Sequence, residues 1–422
     1  MNSFCKKILQ GYRPSFDEIV SELSPFIEGL TELRSTPQDP QWHAEGDVHT
    51  HLSMVISELY QIIDQNQWNL SQSDKLSLIL GTALHDIGKP LCTKVQEING
   101  QERMVSPHHE YRGAGYLSFR IPALNLPKPT EHEILSLVAC HHMPKKLVIK
   151  NIEKPGYMSL ARTCSPKKLY LLEIADMKGR TCEDEDLQLD ILNLFRISCE
   201  EYGVWDAPPY QDWPRTISKI SDHRHAGSAG YFLSQAIRDY ENGFISTPEE
   251  VIPRYFEAAS DFNELVLVCG PGGSGKSSWI RRHLPDYTVI SMDQLREDHA
   301  RGRSDQKSNG LIRQLAKDQL KSLLRGKGQK LVWDATALRR DFRKSVLDLG
   351  HRYKALTTII FFQKDLTDIR KGNQDRDHSV PSPVLERQIE SFEWPELTEA
   401  HRFKIVGKDG QVNFRHGYIN EY

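Results

Sequence analysis

The most specific chemical pattern of the chain lies at residues 270–277, where Gly-Pro-Gly-Gly-Ser-Gly-Lys-Ser follows an apolar run at 265–269. This segment fits the pattern GxxxxGK[ST], in which backbone N–H groups surround phosphates, the lysine reaches the outer phosphate oxygens and the hydroxyl binds Mg²⁺. A flexible glycine-rich turn would not explain the Lys276-Ser277 pair. The sequence therefore predicts a site for an NTP (ATP or GTP) with Mg²⁺, built from Gly272, Gly273, Ser274, Gly275, Lys276, Ser277 and Ser278.

Charged residues follow the next two apolar runs, at 287–291 and 330–334. Asp293 is placed to accept a proton from an attacking hydroxyl, and Arg296 to hold an acceptor's phosphate or to orient Asp293. The alternative for this pair is a helix-capping aspartate beside a surface arginine. Asp334 ends its run and can bind Mg²⁺ through water or steady the arginines.

A second basic group includes Arg370, Asn373, Arg376 and Val380-Pro381. An arginine lid over a triphosphate stabilises charge on the transferring phosphoryl group; the alternative is a solvated helix. Three more arginines, Arg339, Arg340 and Arg343, either form a solvated helix face or contact nucleic-acid phosphates.

The first half of the chain carries histidines and aspartates at recurring intervals. They are His51, His85, Asp86, His109, His141, His142 and Asp176. A lone histidine is usually a core or surface residue, but the set contains the segment His-Asp-Ile-Gly-Lys at 85–89, which ends a predicted helix. Imidazole and carboxylate together suit Mn, Fe, Co, Ni or Zn, and two such ions can neutralise an attacked phosphate. Lys89 either faces the substrate phosphate or caps a helix.

Composition sets limits on class and location. The 422 residues allow two or three domains, and the net charge of −3 divides into 25 basic against 32 acidic residues at 1–245 and 29 against 25 at 246–422. That basic excess is too small for a tight duplex binder. No apolar stretch approaches a membrane span or a secretory signal, and the seven cysteines form no CxxC pair, so we expect a cytoplasmic protein with reduced thiols.

The elements that must position these residues differ between the halves. Helix signals dominate the first 200 residues, including a capping box at Thr130–Glu133 and a start at Ser165-Pro166. From residue 264, strand-length apolar runs, the last of them at 357–362, alternate with helical segments, which predicts a mainly parallel sheet with helices on both faces. We therefore expect an all-α domain at 1–205, a boundary zone at 206–255 whose ownership is open, and an α/β domain at 256–422.

The order His51…His85-Asp86…Asp176 resembles the HD phosphohydrolase superfamily over roughly residues 40–180. The resemblance implies one metal ion held by His51, His85, Asp86 and Asp176, and a second held by Asp86, His109, His141 and His142. His49 and His108 adjoin two of these ligands, so a shift of register is the alternative. The cyclic-dinucleotide phosphodiesterases of this superfamily share the 85–89 segment. In this chain, however, Met143-Pro144 follows the histidine pair, where those enzymes have a different sequence. This difference argues against cyclic di-GMP as substrate.

Residues 262–395 resemble the polynucleotide 5′-kinase family in the glycine-rich loop, in Asp293-xx-Arg296, in the strand end at Asp334 and in Asn373-xx-Arg376. The resemblance implies phosphate and metal binding by Lys276 and Ser277, a general base at Asp293, an acceptor grip by Arg296 and a donor contact by Arg376. The chain departs from the pattern at Gly372, where a second lid arginine is expected; Arg370 is the candidate substitute.

The two halves together resemble the bacterial HD-Pnk family of end-healing enzymes, a multidomain arrangement of an HD phosphohydrolase and a P-loop kinase. This implies metal-dependent removal of 2′,3′-cyclic, 3′- and possibly 2′-phosphate ends and NTP-dependent phosphorylation of 5′-OH ends. RNA or DNA ends would be the substrate and a nucleic-acid ligase the functional partner. Two alternatives stay open: a nucleotide phosphohydrolase fused to a small-molecule kinase, and an NTP-gated regulator of the HD site.

Overall fold

The chain divides into two compact units, Met1–Pro209 and Tyr210–Tyr422. The computed structural model describes residues 1–65, 67–220, 228–299, 309–376 and 378–417. The described residues of the boundary zone from 210 onward fall in the second unit. Residues 221–227 of that zone lie outside the described residues. No helix in the described ranges has both the length and the apolar character needed to cross a membrane.

The first unit is helical. Its helices are α1 Ser3–Leu9, α2 Phe16–Leu23, α3 Val48–Asp64, α4 Gln72–Leu84, α5 His109–Leu117, α6 Lys128–Cys140, α7 Met143–Ile149, α8 Lys154–Thr163, α9 Pro166–Lys178 and α10 Glu185–Glu201. Short 3₁₀ turns occupy Glu28–Ser35, Lys89–Leu91 and Ile121–Leu124.

An antiparallel hairpin corrects the expectation that this region is purely α. Strands β1 Lys94–Ile98 and β2 Gln101–Val105 pair with each other, and most of their residues are exposed or half-buried. Their turn is Asn99-Gly100, both with positive φ (52° and 79°). Asn-Gly is the strongest short hairpin signal, because both residues tolerate the left-handed conformation that the turn requires. The sequence contained this signal, and the helix-based interpretation missed it.

Helix α4 forms the centre of the first unit. Every residue from Leu76 to Leu84 is buried, so the helix is apolar on all sides and must be surrounded by other helices. Gly81 lets α6 approach closely, since a methyl group there would lie 2.7 Å from Leu137 Cδ1. Burial of each large aliphatic side chain contributes about 1.5–3 kcal/mol, which fixes α4 firmly. The helix therefore delivers the residues at its carboxyl end, His85 and Asp86, to a defined place.

The two predicted helix starts had different outcomes. Ser165 caps α9 as predicted, accepting a hydrogen bond from the Lys168 backbone N–H, with a proline in the first turn. The predicted capping box at Thr130–Glu133 is wrong, because α6 begins earlier, at Lys128, and Pro129 is tolerated in a first turn. Glu133 lies inside the helix and accepts a hydrogen bond from Ser77 at 2.5 Å.

The second unit is an α/β domain with a mainly parallel sheet. Its helices are α11 Trp213–Ile220, α12 Ala229–Glu241, α13 Val251–Ala259, α14 Lys276–His283, α15 Met292–His299, α16 Asn309–Leu324, α17 Arg340–Arg352, α18 Leu366–Gln374 and α19 Ser382–Glu390, with 3₁₀ turns at Pro248–Glu250 and Leu397–Glu399. Its strands are β3 Glu264–Cys269, β4 Thr288–Ser291, β5 Lys330–Asp334, β6 Leu356–Phe362, β7 Arg402–Val406 and β8 Val412–His416.

The sheet has the strand order β4-β5-β3-β6-β7-β8. All neighbouring pairs are parallel except β7 and β8, which are antiparallel. Strand β3 lies inside the sheet and is buried from Leu265 to Cys269, while Trp279 and Ile280 of α14 pack on one face. Because β3, β4 and β5 are parallel, their carboxyl ends meet at one edge, where α/β domains bind nucleotides. The predicted phosphate loop follows β3 at this edge.

Candidate active sites

The seven predicted histidine and aspartate residues of the first unit come together from five places in the fold. They are His51 on α3, His85 and Asp86 after α4, His109 at the start of α5, His141 and His142 after α6, and Asp176 on α9. All are buried except His142, which is exposed. Residues that lie as much as 125 positions apart in sequence thus share one cluster, which we call the imidazole cluster.

Asp86 stands between two groups of imidazoles. Its Oδ2 lies 3.5 Å from His85 Nε2 and 3.7 Å from His51 Nε2, whereas its Oδ1 lies 3.1 Å from His109 Nε2. The ligand atoms of His51, His85 and Asp86 lie within 4.8 Å of one another, and so do those of His109, His141 and His142. One carboxylate therefore faces two potential metal positions.

Asp176 completes the first of these groups. Its Oδ1 lies 2.9 Å from His51 Nε2 and 3.5 Å from His85 Nε2. Its Oδ2 accepts a hydrogen bond of 2.6 Å from Arg180, which lies two residues beyond the carboxyl end of α9. The arginine thus fixes the carboxylate so that one oxygen points at the two imidazoles.

Backbone carbonyls orient three of the histidines. Nδ1 of His85, His109 and His141 lies 2.8–2.9 Å from the carbonyl oxygen of the residue three positions earlier. A carbonyl can only accept, so Nδ1 carries a proton and Nε2 is the nitrogen left for a metal. The Nε2 atoms of His109 and His141 lie 3.2 Å apart, which places two such nitrogens together. This arrangement of outer partners is typical of metal-ligating imidazoles.

The electrostatics of the imidazole cluster also suit metal ligands. Burial would raise the pKa of Asp86, but Lys89 at 2.7 Å and the neighbouring imidazoles hold it well below its ordinary value. Burial lowers the pKa of His141 well below its ordinary value. Burial would also lower the pKa of His85, but Asp86 and Asp176 raise it. The ionised carboxylates and the neutral His141 can bind a metal ion directly. The proton favoured on His85 would be released when a metal binds.

Lys89 belongs to this cluster in a way that the sequence did not indicate. Its ammonium donates to Gln38 Oε1 at 2.6 Å and lies 2.7 Å from Asp86 Oδ2. The side chain is buried. It therefore neither caps a helix nor points freely toward solvent: it compensates the charge of Asp86.

The structure selects one register at each of the two ambiguous positions. His49 turns away toward α2, with its Nε2 3.0 Å from Asp17 and its ring against Phe16. His108 is exposed and has a positive φ of 60° before α5. His51 and His109 are accordingly the members of the cluster.

The predicted phosphate loop of the second unit connects β3 to α14. Gly273 and Gly275 have positive φ values of 79° and 91°, which only glycine adopts without strain. Lys276 folds back over the loop, and its ammonium donates to the carbonyls of Gly270 at 2.9 Å and Pro271 at 2.7 Å. The two carbonyl oxygens therefore occupy the hydrogen-bonding positions of the ammonium group that phosphate oxygens would take.

The other residues of the loop take distinct positions. Ser274 is buried and donates to the Pro271 carbonyl, whereas Ser278 is exposed and accepts from Arg281. The Gly272 N–H donates to Gln388 Oε1 of α19 at 2.8 Å. The Gln388 oxygen therefore accepts from a backbone N–H group of the kind that binds phosphate oxygens in such loops.

Ser277 and Asp334 meet at the edge of the sheet, as their predicted metal-binding roles require. The Ser277 hydroxyl donates to Asp334 Oδ2 at 2.9 Å. Asp334 ends β5 and pairs in register with Ser291, the last residue of β4. Burial lowers the pKa of Lys276 to about 8, while the charge of Asp334 opposes that shift.

Asp293 and Arg296 form an ion pair on α15, with 2.6 Å between Arg296 NH1 and Asp293 Oδ1. The Asp293 side chain is 52% exposed and the Arg296 side chain 15% exposed. The charges of Asp293 and of the exposed Arg376 both act on Lys276 and Asp334. One electrostatic environment therefore includes Lys276, Asp293, Asp334 and Arg376.

The segment that resembles a lid is built around Asn373 of α18. Its side chain is buried, donates to the Val380 carbonyl at 2.8 Å and accepts from the Val380 N–H at 2.9 Å. Gly372 explains the missing second lid arginine, because a Cβ there would lie 2.4 Å from the Gly273 carbonyl oxygen. Arg370, the candidate substitute, makes a two-bond ion pair with Glu386 at 3.0 and 3.1 Å.

The three arginines near residue 340 do not share one surface. Arg339 is exposed beside Asp341, and Arg340 pairs with Glu396. Arg343 is fully buried and makes two hydrogen bonds to Glu399, at 2.7 and 2.8 Å. A phosphate contact and a solvated face are both wrong for Arg343, which is a core ion pair.

Sequence interpretation missed several neighbours of the imidazole cluster: Gln38, Glu45, Lys145, Glu173 and Arg180. Glu173 is buried with Lys145 at 3.0 Å. Arg180 follows Asp176 by four positions, a spacing that on a helix predicts an ion pair. The other contacts join distant segments, so spacing gave no signal for them.

A family comparison provides information on the second unit. None of the curated proteins compared with the chain matches it. Residues 265–395 match a family model described as an AAA domain. The match covers the phosphate loop, Asp293, Asp334 and Arg376, and it supports a P-loop, kinase-like domain with nucleotide-dependent activity in this part of the chain.

Proposed function

We propose that the chain is a bifunctional end-healing enzyme for nucleic acids, with RNA or DNA ends as the substrate. The first unit, an HD phosphohydrolase domain in this proposal, removes 2′,3′-cyclic or 3′-phosphate and possibly 2′-phosphate. The second unit phosphorylates 5′-OH ends with an NTP, so that a ligase can join the two ends. The choice of nucleic-acid ends depends on the resemblance to the end-healing enzymes described above.

The observation that carries the proposal is the position of Asp86 between two groups of Nε2 atoms. Its two oxygens face opposite groups, as a carboxylate bridging two metal ions does. The donor set fits divalent transition metals such as Mn, Co, Ni, Zn or Fe, because neutral imidazoles and ionised carboxylates are combined. His51, His85, Asp86 and Asp176 would hold one ion; Asp86, His109, His141 and His142 would hold the other.

Two ions held by these residues would supply Lewis-acid stabilisation of the charge on a phosphoester and would lower the pKa of a water molecule. The protein's own residues orient that chemistry. Arg180 fixes Asp176, and the backbone carbonyls fix three imidazoles. Lys89 and Lys145 add positive charge beside the carboxylates, which favours an anionic substrate.

In the kinase unit, Lys276 would exchange its carbonyl partners for β- and γ-phosphate oxygens, and Ser277 with Asp334 would hold Mg²⁺. Asp293 would accept the proton of the 5′-OH, with Arg296 orienting it and gripping the acceptor's phosphate. Arg376 would stabilise the transferring phosphoryl group. The half-exposed Asp293 leaves the acceptor side open, which favours the end of a polymer over an enclosed small molecule.

Separate variants test the two-site proposal on an RNA that bears 5′-OH and 2′,3′-cyclic phosphate ends. Asp86→Ala removes the shared ligand, so phosphate removal should fall by at least ~100-fold while 5′ phosphorylation persists. Lys276→Ala and Asp293→Ala should do the reverse. Arg34→Ala, an exposed change with no proposed role at either site, is the control and should alter neither activity. Loss of both activities in a folded Asp86→Ala or Lys276→Ala variant would contradict the proposal, as would faster phosphorylation of free nucleosides than of RNA ends.

A further inference from the structure

Glu45 lies on the side of His51 that faces away from Asp86 and Asp176. Its side chain is 3% exposed, and its Oε1 lies 3.0 Å from His51 Nδ1 and 2.8 Å from His43 Nδ1. Its Oε2 accepts a hydrogen bond of 3.1 Å from the Thr181 backbone N–H. We propose that Glu45 is a positioning residue that fixes the tautomer and orientation of His51 as a metal ligand. This inference depends on the dinuclear site proposed above.

The partners of His51 determine where its proton lies. Nδ1 faces the Glu45 carboxylate at 3.0 Å and the Gly179 carbonyl at 3.2 Å, and both can only accept. Nδ1 therefore carries a proton. Nε2 points toward Asp176 Oδ1 at 2.9 Å, a contact in which a metal ion would replace the proton shared with the carboxylate.

His51 differs from the other ligands in the source of this support. His85, His109 and His141 each use a carbonyl three residues earlier, at the carboxyl end of a helix or in a turn. His51 lies near the start of α3, and its partners come from residues 45 and 179. A carboxylate partner also makes an imidazole a stronger ligand than a carbonyl does, because its negative charge raises the basicity of the ring.

The same contacts join the segments that carry two ligands of one metal position. The Ala44 N–H donates to the Thr181 carbonyl at 3.1 Å, next to the bond from Thr181 to Glu45. His51 follows the first segment, and Asp176 precedes the second. Loss of Glu45 should therefore weaken the ion held by His51, His85, Asp86 and Asp176. The ion beside His109, His141 and His142 should be affected less.

A metal ion bound directly by His43, Glu45 and His51 is the competing interpretation, since their ligand atoms also lie within 4.8 Å of one another. A neutral imidazole has one lone-pair nitrogen, and His51 directs Nε2 into the dinuclear cluster. Binding at Nδ1 as well would require an imidazolate. The geometry therefore favours hydrogen bonding over a third ion.

The test titrates the full-length, metal-stripped chain with Mn²⁺ alone, by calorimetry and by metal analysis after dialysis. The wild type should bind two Mn²⁺ per chain. One of these sites should weaken by about 100-fold in Glu45→Ala and by about 10-fold in Glu45→Gln, which keeps an acceptor oxygen without the charge. Glu131→Gln is the matched control, because Glu131 is buried in the same unit but pairs with Lys128.

Imidazole ¹⁵N chemical shifts of the metal-free chain give a second readout that a purely structural role would not change. Nδ1 of His51 should be protonated in the wild type and in Glu45→Gln, and only partly protonated in Glu45→Ala. ATP affinity should be equal in all variants, which confirms that the second unit is folded. If Glu45→Ala does not fold, the Mn²⁺ affinity of Glu45→Gln decides the question.

Two results overturn the inference while leaving the dinuclear site in place. One is wild-type affinity for both ions in the folded Glu45 variants. The other is three ions in the wild type with one lost on the change to Gln, which would make Glu45 a ligand. A wild-type chain that binds no Mn²⁺ contradicts the dinuclear site itself, and the inference with it.

Discussion

Gly372 provides a sharp test of how the kinase site is packed. A methyl group at this position of α18 would stand 2.4 Å from the Gly273 carbonyl oxygen of the phosphate loop. Ordinary contact begins near 3.4 Å, so α18 and the loop would have to separate by about 1 Å. Both partners are backbone, and neither can rotate away as a flexible side chain does.

The magnitude follows from this overlap. Overpacking of this kind costs about 1–3 kcal/mol. Gly372→Ala also gains about 1 kcal/mol of helix propensity, so the net loss of unfolding free energy should be about 0–2 kcal/mol. Helix propensity does not offset the loss in binding, because it is the same with and without nucleotide. If the loop retreats to relieve the strain, ATP affinity should fall by about 5- to 150-fold.

Calorimetric ATP titration and urea unfolding of Gly372→Ala measure these two quantities. Gly310→Ala on α16 is the matched control, since a methyl there meets nothing within 4 Å. It should keep wild-type ATP affinity and should be neutral or slightly stabilising. Wild-type ATP affinity in Gly372→Ala would refute the close approach of α18 to the loop.

Three further predictions concern the second unit. Burial lowers the pKa of Lys276 to about 8, and phosphate binding requires the ammonium form, so ATP affinity should fall as pH rises from about 7 to about 9. A calorimetric ATP affinity that stays constant over that range would exclude a lowered pKa of Lys276. Arg343→Ala leaves the Glu399 carboxylate buried without its partner and should lower the free energy of unfolding by about 3–5 kcal/mol. The exposed control Arg339→Ala should lower it by about 0.5 kcal/mol or less, and equal urea midpoints for the two variants would show that the ion pair does not stabilise the fold. Asn373→Ala removes both hydrogen bonds to Val380 and should lower the local free energy of opening by about 1–3 kcal/mol, measured as faster hydrogen exchange of the Val380 amide. Unchanged protection of that amide would mean that other contacts keep this segment in place.

Sequence patterns predicted elements where the local signal is strong. The four apolar runs at 265–269, 287–291, 330–334 and 357–362 became β3, β4, β5 and β6 with small shifts at their ends. Strands β7 and β8 were not predicted, because charged or polar residues interrupt their apolar positions and β8 is held by pairing with β7. The hairpin of β1 and β2 was missed for a different reason, since its Asn-Gly turn was present in the sequence.

Residue types and order indicated the members of the imidazole cluster but not their supports. His51, Asp86 and Asp176 could be named from the sequence, because the pattern of histidines and aspartates is specific. Glu45 could not be found in this way, since its contact with His51 depends on how residues 43–47 turn before α3. Gly372 shows the same limit: only the packing of α18 on the loop shows why an arginine does not fit there.

The most direct measurement of the central claim treats the purified wild-type chain with an RNA that bears a 5′-OH and a 2′,3′-cyclic phosphate, in the presence of ATP, Mg²⁺ and Mn²⁺. Chromatography of both termini should find a new 5′-phosphate on one end and a free hydroxyl in place of the cyclic phosphate on the other. If either terminus stays unaltered under conditions in which the chain binds ATP and Mn²⁺, the assignment of one phosphoester reaction to each unit is wrong.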